Sequence, residues 1–411
     1  MTKGQIKAPE LLSPAGDAER LRAALLYGAD AVYLGGKMFN MRAATESFDS
    51  DSLKQVVKMC HEQGTKVHYI CNTLPRNNEI PMLPEFFETA ADAGVDAFII
   101  ADVGVMKCAK KYAPQIDIHM STQTGIVNYE TACTLHEMGA KRVIMAREVS
   151  LDEIAEIRAK TPRSLEIECF VHGAMCMSFS GRCMLSNYLT GRDANRGDCA
   201  QPCRWKYHLV EEKRPGQYFE ITDDKDGTYI LNSQDMCMIE HIPELVAAGV
   251  DSFKIEGRAK SAYYAAAVTN AYRVAIDEFM QNPSKDFKPS QWIVDEMKKI
   301  SYRDYCTGFF FGPPHEDAHV YYDGVYIREW DIIANVLKSD GEFLTVTQRN
   351  RFFEGDELEV LMPKTEPFKI TVAEMYNENG ERITVAPNPM AVIKIRCNRE
   401  IPAGAILRKE K

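Results

Sequence analysis

The chain has 411 residues, 45% of them hydrophobic and 26% charged. That length accommodates roughly two or three domains with a large core, and the composition is ordinary for a folded protein. The formal net charge of −10 argues against general electrostatic binding of nucleic acid, while leaving room for a local basic patch. No apolar segment follows the lysines of the first ten residues, and no long apolar run occurs elsewhere. A secretory signal and a membrane span are therefore not expected, and a cytoplasmic location is.

The N-terminal part repeats one theme: a short apolar run, a polar or glycine-bearing turn, and a helical stretch. Strands are predicted at Glu10–Pro14, Ala31–Gly35, Lys66–Asn72, Ala97–Asp102, Ile116–Ser121 and Arg142–Arg147. Helical patterns lie between them, as in Asp17–Tyr27, Ser52–Gln63, Leu83–Ala93 and Tyr129–Met138. The runs lack strict alternation, which fits strands of a parallel sheet covered on both faces. Three units share an ending, Tyr27-Gly28-Ala29-Asp30, Ala93-Gly94-Val95-Asp96 and Ala248-Gly249-Val250-Asp251, in which a helix C-cap glycine and an aspartate lead into the next strand.

Strands at Leu165–Val171 and Ser252–Glu256, with a last helix at Ala259–Glu278, bring the count to eight units. The predicted fold is α/β, a (β/α)8 barrel over residues 1–282, with an open doubly wound sheet as the alternative. An insertion at about residues 173–238 follows strand seven and leaves the barrel at the face where active sites sit. Residues 283–329 read as a linker with a short helix and the aromatic segment Tyr302–Pro314. From residue 330 to 411 the periodicity becomes two-residue, with turn signals at Ser339-Asp340-Gly341 and Glu378-Asn379-Gly380, and predicts a small antiparallel β-barrel. The final stretch from Lys394, with six Lys/Arg against Glu400 and Glu410, reads as a solvated terminal strand and tail.

The insertion holds Cys176, Cys183, Cys199 and Cys203, spaced C-x6-C-x15-C-x3-C. Thiols gathered in a reducing compartment point to a metal or to catalysis rather than to disulfides. Four thiolates suit a structural zinc or an iron–sulfur cluster, and the spacing alone leaves both open. Cys60, Cys71, Cys108, Cys133, Cys169, Cys306 and Cys397 are dispersed among apolar patterns and read as small buried side chains.

Strand C-terminal ends place Ser13, Asn72, Asp102, Ser121, Gln123, Arg147, His172, Glu256 and Arg258 where a substrate could be met. His172, directly before the cysteine segment, is a candidate proton donor or a buried, satisfied histidine. His119 is expected to pack inside or behind the barrel. No G-x-S-x-G elbow and no H-E-x-x-H pair occurs, so a protease would need a cysteine nucleophile, such as Cys169 or Cys176 beside His172.

The segment Glu168-x-Phe170-x2-Gly173-Ala174-Met175-Cys176-x4-Gly181-x-Cys183-x-Leu185-Ser186 closely resembles the signature of the peptidase U32 family. The opening Glu10-Leu11-Leu12-Ser13-Pro14-Ala15-Gly16, the eighth strand Lys254-Ile255-Glu256-Gly257-Arg258 and the aromatic Thr307–Gly312 segment extend the resemblance over the whole chain. The family name implies a collagenase-like protease. The branch with this length and C-terminal barrel implies oxygen-independent hydroxylation of the tRNA wobble uridine to 5-hydroxyuridine. Prephenate is the implied hydroxyl source, and other branches imply ribosomal RNA or a quinone precursor as the target. The resemblance also implies a [4Fe–4S] cluster. Cys176, Cys183 and Cys199 match its first three ligand positions, and Cys203, or alternatively Cys237, is the fourth. A dicarboxylate donor would need basic side chains, for which Arg42, Arg147, Lys254 and Arg258 are candidates. Asn72 and Gln123 complete the expected substrate contacts, and Glu256 joins His172 as a candidate catalytic group. Expected partners are tRNA and a paralogous U32 protein, with no membrane.

Overall fold

The computed structural model describes residues 6–41, 48, 50–176, 183–194, 198–205, 209–210, 218–219, 234–312 and 326–411. Eight parallel strands form a closed barrel: β1 (Glu10–Pro14), β2 (Ala31–Gly35), β3 (Lys66–Cys71), β4 (Ala97–Ile100), β5 (Asp117–Met120), β6 (Arg142–Ile144), β7 (Glu166–Ala174) and β8 (Ser252–Ile255). They pair in sequence order, and β8 closes the ring by pairing with both β7 and β1. Helices α1 (Ala18–Leu26), α2 (Ser50–Glu62), α3 (Leu83–Ala93), α4 (Val103–Tyr112), α5 (Tyr129–Glu137) and α6 (Leu151–Lys160) follow the first six strands. The inserted segment carries α7 (Leu185–Thr190), then α8 (Ile242–Ala247) leads to β8, and α9 (Ala262–Gln281) follows it.

The repeated Gly-x-Asp ending has a specific job at the N-terminal rim. Gly28, Gly94 and Gly249 all adopt positive φ, 97°, 85° and 86°, which reverses the chain after its helix at no Cβ cost. Each following aspartate then accepts the first free N–H of the neighbouring strand. Asp30 takes Leu11 N at 2.8 Å, Asp96 takes Val67 N at 2.7 Å, and Asp251 takes Ile167 N at 2.9 Å. One carboxylate thus fixes the stagger between adjacent strands, and these residues stabilise the face opposite the site.

Strand seven runs to Ala174, further than the sequence pattern indicates, because a second strand extends it. Asp235–Cys237 returns from the insertion and pairs antiparallel with Ala174–His172. A parallel pair with Tyr305–Cys306 then continues the sheet beyond the closed ring.

The C-terminal domain is an eight-stranded antiparallel sheet: β9 (Trp330–Ser339), β10 (Phe343–Gln348), β11 (Glu357–Leu361), β12 (Phe368–Thr371), β13 (Met375–Tyr376), β14 (Arg382–Ile383), β15 (Val392–Arg396) and β16 (Ile406–Glu410). Its order, β12-β11-β16-β9-β10-β15-β13-β14, curls over its own apolar core as a half-barrel, with no pairing between β12 and β14 among the described residues. The terminal segment is strand, as expected, and its basic side chains are exposed or partly so with one exception, Arg408. β16 lies between β11 and β9, and Arg408 is fully buried. Its guanidinium reaches Glu296 at 2.5 Å, the Tyr263 hydroxyl at 3.1 Å, and Glu359. Lys299 also bonds Glu359, at 2.9 Å. Leu361 and Ile406 join the barrel's core cluster, and the Tyr27 hydroxyl donates to the carbonyls of Leu361 and Gly404. The basic residue is therefore a buried fastener between domains.

Replacing Arg408 by alanine leaves the buried Glu296 with Lys299, 3.1 Å away, as its one remaining cation among the described residues, a change that costs roughly 3 kcal/mol, the lower end for a broken buried pair. A lowered thermal midpoint and lost cooperativity between the domains, measured by calorimetry, are the expected result.

Candidate functional site

The strands deliver their C-terminal ends to a cavity of about 250 Å³. Its lowest layer is ionic. Glu168 on β7 is fully buried, and Lys254 on β8 donates to it at 2.7 Å while Arg142 on β6 donates at 2.9 Å. Arg142 also holds Glu10 at 2.5 Å and Glu166 at 2.7 Å. Burial pushes the Glu168 carboxyl towards its neutral form, but the charges of Lys254 and Arg142 outweigh this and hold it below the usual range. Burial in turn pulls the Lys254 ammonium below its ordinary value, although Glu168 opposes the shift.

His68 on β3 and His119 on β5 meet Glu168 across the barrel lumen, with ring centroids 4.6 Å apart. His119 therefore packs inside. Burial lowers His68 to about 4 and His119 well below its usual value, so both rings are neutral near pH 7. The ligand atoms of His68, His119 and Glu168 lie within 4.8 Å of one another, close enough to share one ion. Both oxygens of that carboxylate are already taken, Oε1 by Lys254 and Oε2 by Arg142.

Above this layer the walls are aromatic and cationic. Lys254 Nζ lies 4.6 Å from the Tyr33 ring centroid, and the Arg147 guanidinium lies 4.0 Å from that of Phe170. Arg147 also donates to the Ala174 carbonyl at 2.6 Å and reaches Glu256 at 3.5 Å. Arg258 donates to Asn40 Oδ1 at 2.8 Å. These contacts immobilise the cations while leaving Arg147, Lys254 and Arg258 on the cavity wall. Asn72, Gln123 and Glu256 line it too. The Asn72 carboxamide accepts from Met41 N at 3.2 Å, so part of its capacity is spent on the backbone.

The inserted segment covers the mouth. Cys176, Cys183, Cys199 and Cys203 all line the cavity. Among the described residues they do not form a group close enough to share a single ion. Four thiols on one cavity are a donor set that either a structural zinc or an iron–sulfur cluster accepts. Cys237 does not line the cavity. It lies beside Tyr272, and burial raises its thiol to about 12. Cys203 rather than Cys237 thus shares the mouth with the other three.

His172 is not in the cavity. On β7, Glu168 and Phe170 face the lumen, and regular alternation would send His172 there as well. The pairing of β7 with β8 breaks at this point: Lys254 pairs with Phe170 and Ile255 with His172, skipping Val171. This bulge turns the imidazole outwards. It is fully buried among Tyr264, Tyr272 and Tyr305, at centroid distances of 5.5–5.9 Å, and neither ring nitrogen has a hydrogen-bond partner. Burial, with Lys260 adding to it, lowers its pKa to about 3. A catalytic role in the cavity does not fit this position, nor does pairing with Cys169, whose buried thiol is pushed far above its usual value. No histidine lines the cavity among the described residues.

Asp102 caps α4 by accepting Val105 N at 3.0 Å, and Ser13 bonds Thr269 on α9, so both are structural. Ser121 does reach the cavity. Arg42 lies outside the described residues. Sequence reasoning gave no role to Tyr33, Phe170 or Glu168, though Glu168-x-Phe170 places two large polar and aromatic groups on one strand face.

Fold and site together define a (β/α)8-barrel protein whose cation-walled cavity is capped by a four-cysteine segment and which carries a curled β domain. The chain belongs to peptidase family U32. Residues 16–319 match the family profile of that description, and residues 328–408 match that of the peptidase family U32 C-terminal domain. It is similar to tRNA hydroxylation protein P1 of Bacillus subtilis, 35% identical over 407 residues, covering 98% of this chain and 96% of that protein. It is also 44% identical over 305 residues to a Methanocaldococcus jannaschii protein named as an uncharacterized protease, covering 74% of this chain and 73% of that one. A third relative is the 23S rRNA 5-hydroxycytidine C2501 synthase of Escherichia coli, 32% identical over 393 residues, covering 94% of this chain and 58% of that one. No described helix is long and apolar enough to cross a membrane.

Glu168→Gln leaves Lys254 beside a neutral amide, while Arg142 keeps Glu10 and Glu166, and should lower stability by roughly 3 kcal/mol, read by denaturant unfolding. The pH dependence has a defined sign. The folded-state values of Glu10, about 2, and of Glu168 are depressed. Their stabilisation is therefore complete above the unfolded carboxylate value of about 4.3 and is lost as pH falls through the folded values. The wild type should lose stability steeply between about pH 4 and 2, and the glutamine variant less steeply.

Proposed function

We propose that this chain is an RNA hydroxylation enzyme that acts on tRNA. It converts the wobble uridine to 5-hydroxyuridine without molecular oxygen, with a [4Fe–4S] cluster and with prephenate as hydroxyl donor. The observation that carries the reading is the placement of Cys176, Cys183, Cys199 and Cys203 on one cavity whose walls present Arg147, Lys254 and Arg258. Near-full-length similarity to a tRNA hydroxylation protein supports the reaction class.

The four cysteines would hold the cluster, which supplies one-electron redox capacity when bound. The chain's own groups do the rest. Arg147 and Arg258 present guanidinium forks suited to the carboxylates of a small diacid, and Lys254 adds a point charge. The Phe170 and Tyr33 rings back these cations and offer apolar surface to the donor's ring. Glu256, on the same wall and within reach of Arg147, is the carboxylate placed to accept or return a proton. A paralogous U32 chain is part of the proposal as a partner. Proteolysis gains no support from the cavity, which lacks an imidazole to activate a thiol among the described residues.

Protein purified without oxygen should contain about four iron and four acid-labile sulfide per chain, and Cys176→Ala should lose most of both. Zinc alone would overturn the redox reading. In a strain lacking this chain and any redundant pathway, nucleoside mass spectrometry should find 5-hydroxyuridine derivatives missing from tRNA. The wild-type chain should restore them, while Arg147→Ala and Lys254→Ala should not.

A further inference from the structure

The rim of the cavity carries a feature that the chemistry inside does not use. Met184 is 73% exposed, Tyr188 85% and Trp205 43%, and Leu189 is exposed beside them in sequence. All four belong to the cysteine-bearing segment. Tyr188 and Leu189 sit on α7, which begins at Leu185, and α7 packs against the turn Pro202–Arg204 that leads directly into Trp205. Leu185, Pro202 and Cys203 themselves line the cavity. The exposed rings are thus attached to the elements that form its edge. A tyrosine this exposed on a segment otherwise anchored by its pocket residues has no folding role to account for it.

The charge of the same segment selects the kind of partner. From Cys176 to Lys206 the sequence carries five basic residues, Arg182, Arg192, Arg196, Arg204 and Lys206, against Asp193 and Asp198. That local excess stands out in a chain whose net charge is −10. Aromatic side chains interleaved with basic ones are the chemistry that binds single-stranded nucleic acid. Bases stack on the rings and the backbone is drawn by the charge. A hydrophobic protein partner would need the rings but not the basic excess.

We propose that Tyr188 and Trp205 form a stacking platform for unpaired nucleotides of an RNA loop, flanking the one base that enters the cavity. This inference rests on the RNA-hydroxylation reading and assigns its loop-binding surface. Both residues are positioning residues: they hold the loop and do not touch the reacting atoms.

The test uses the full chain purified without oxygen and an unmodified tRNA transcript with uridine at the wobble position. A fully paired, blunt-ended RNA duplex with the same number of nucleotides serves as the comparison probe. Tyr188→Ala/Trp205→Ala should weaken tRNA binding roughly 10-fold or more, in line with the loss of two base–aromatic stacks. Duplex binding should change less than about 2-fold, because it depends on backbone charge and not on unpaired bases. Tyr188→Phe/Trp205→Phe, which keeps the rings, should restore tRNA binding. Circular dichroism and thermal unfolding should match the wild type in both variants. Unchanged tRNA affinity in the alanine variant overturns the proposal, as does equal weakening for tRNA and duplex, failure of the phenylalanine variant to rescue, or a shift only in oligomeric state. If the wild type neither binds tRNA nor restores its hydroxylation in the deletion strain, the functional reading fails and takes the platform with it. A wild type that does both beside an unaffected alanine variant sinks the platform alone.

Discussion

The carboxylate of Glu168 is the constraint on which the site is built. It is buried inside the barrel, where an isolated charge could not persist, and it survives because Arg142 approaches from β6 and Lys254 from β8. That arrangement works in both directions. Arg142 is spread over three carboxylates from β1 and β7 and cross-braces the lower barrel. Lys254 is held at a fixed height where its ammonium also reaches the cavity wall. One buried anion therefore converts a long, flexible lysine into a preorganised cation. The entropy of ordering that side chain is met on folding rather than on ligand binding.

The same strand sets what lies above. β7 carries Glu168 and Phe170 on its inner face, then loses its register with β8 and turns His172 outwards into a cage of tyrosines. Beyond the bulge the strand is prolonged by pairing with Asp235–Cys237, the returning end of the insertion. Both ends of that long excursion are thus tied into the sheet. Cys176, two residues past the end of β7, starts from a fixed point, and the cavity-lining residues of α7 and of the Pro202–Arg204 turn complete the cap. Four loop cysteines could serve one site only with such anchoring, since their side chains must converge from several directions.

The barrel was legible because its information is local and repeated. Apolar runs of strand length, and three Gly-x-Asp endings, mark strands and rims without any knowledge of what packs where. The cysteines were legible because four thiols crowded into one insertion mark a common site wherever the insertion happens to fold. His172 was misplaced because a bulge inverts side-chain parity, and a bulge depends on the partner strand rather than on the residues that precede it. Glu168 went without a role because its meaning comes from Arg142 and Lys254, 26 and 86 residues away. Arg408 is the same lesson at the far end of the chain. A basic C-terminus reads as solvated until Glu296 and Glu359 are brought beneath it by the packing of the half-barrel on the α9 side of the barrel.

The size of the cavity limits how any polymer can use it. About 250 Å³ lies below the usual range of roughly 300–1,000 Å³ for small-molecule pockets. A cavity of that size does not admit a stacked helix. Its walls are charged to suit a carboxylated small molecule, so they supply little affinity specific to RNA. An RNA substrate would therefore have to offer an unpaired nucleotide, and the energy for holding that nucleotide out of its stack would have to come from surfaces outside the cavity. In this chain the cysteine-bearing segment exposes Met184, Tyr188, Leu189 and Trp205, and Trp205 stands between Arg204 and Lys206 in sequence. On the proposed reading, binding and chemistry would be divided between two layers of one insertion: the cysteines that line the cavity, and the exposed rings of Tyr188 and Trp205 outside it.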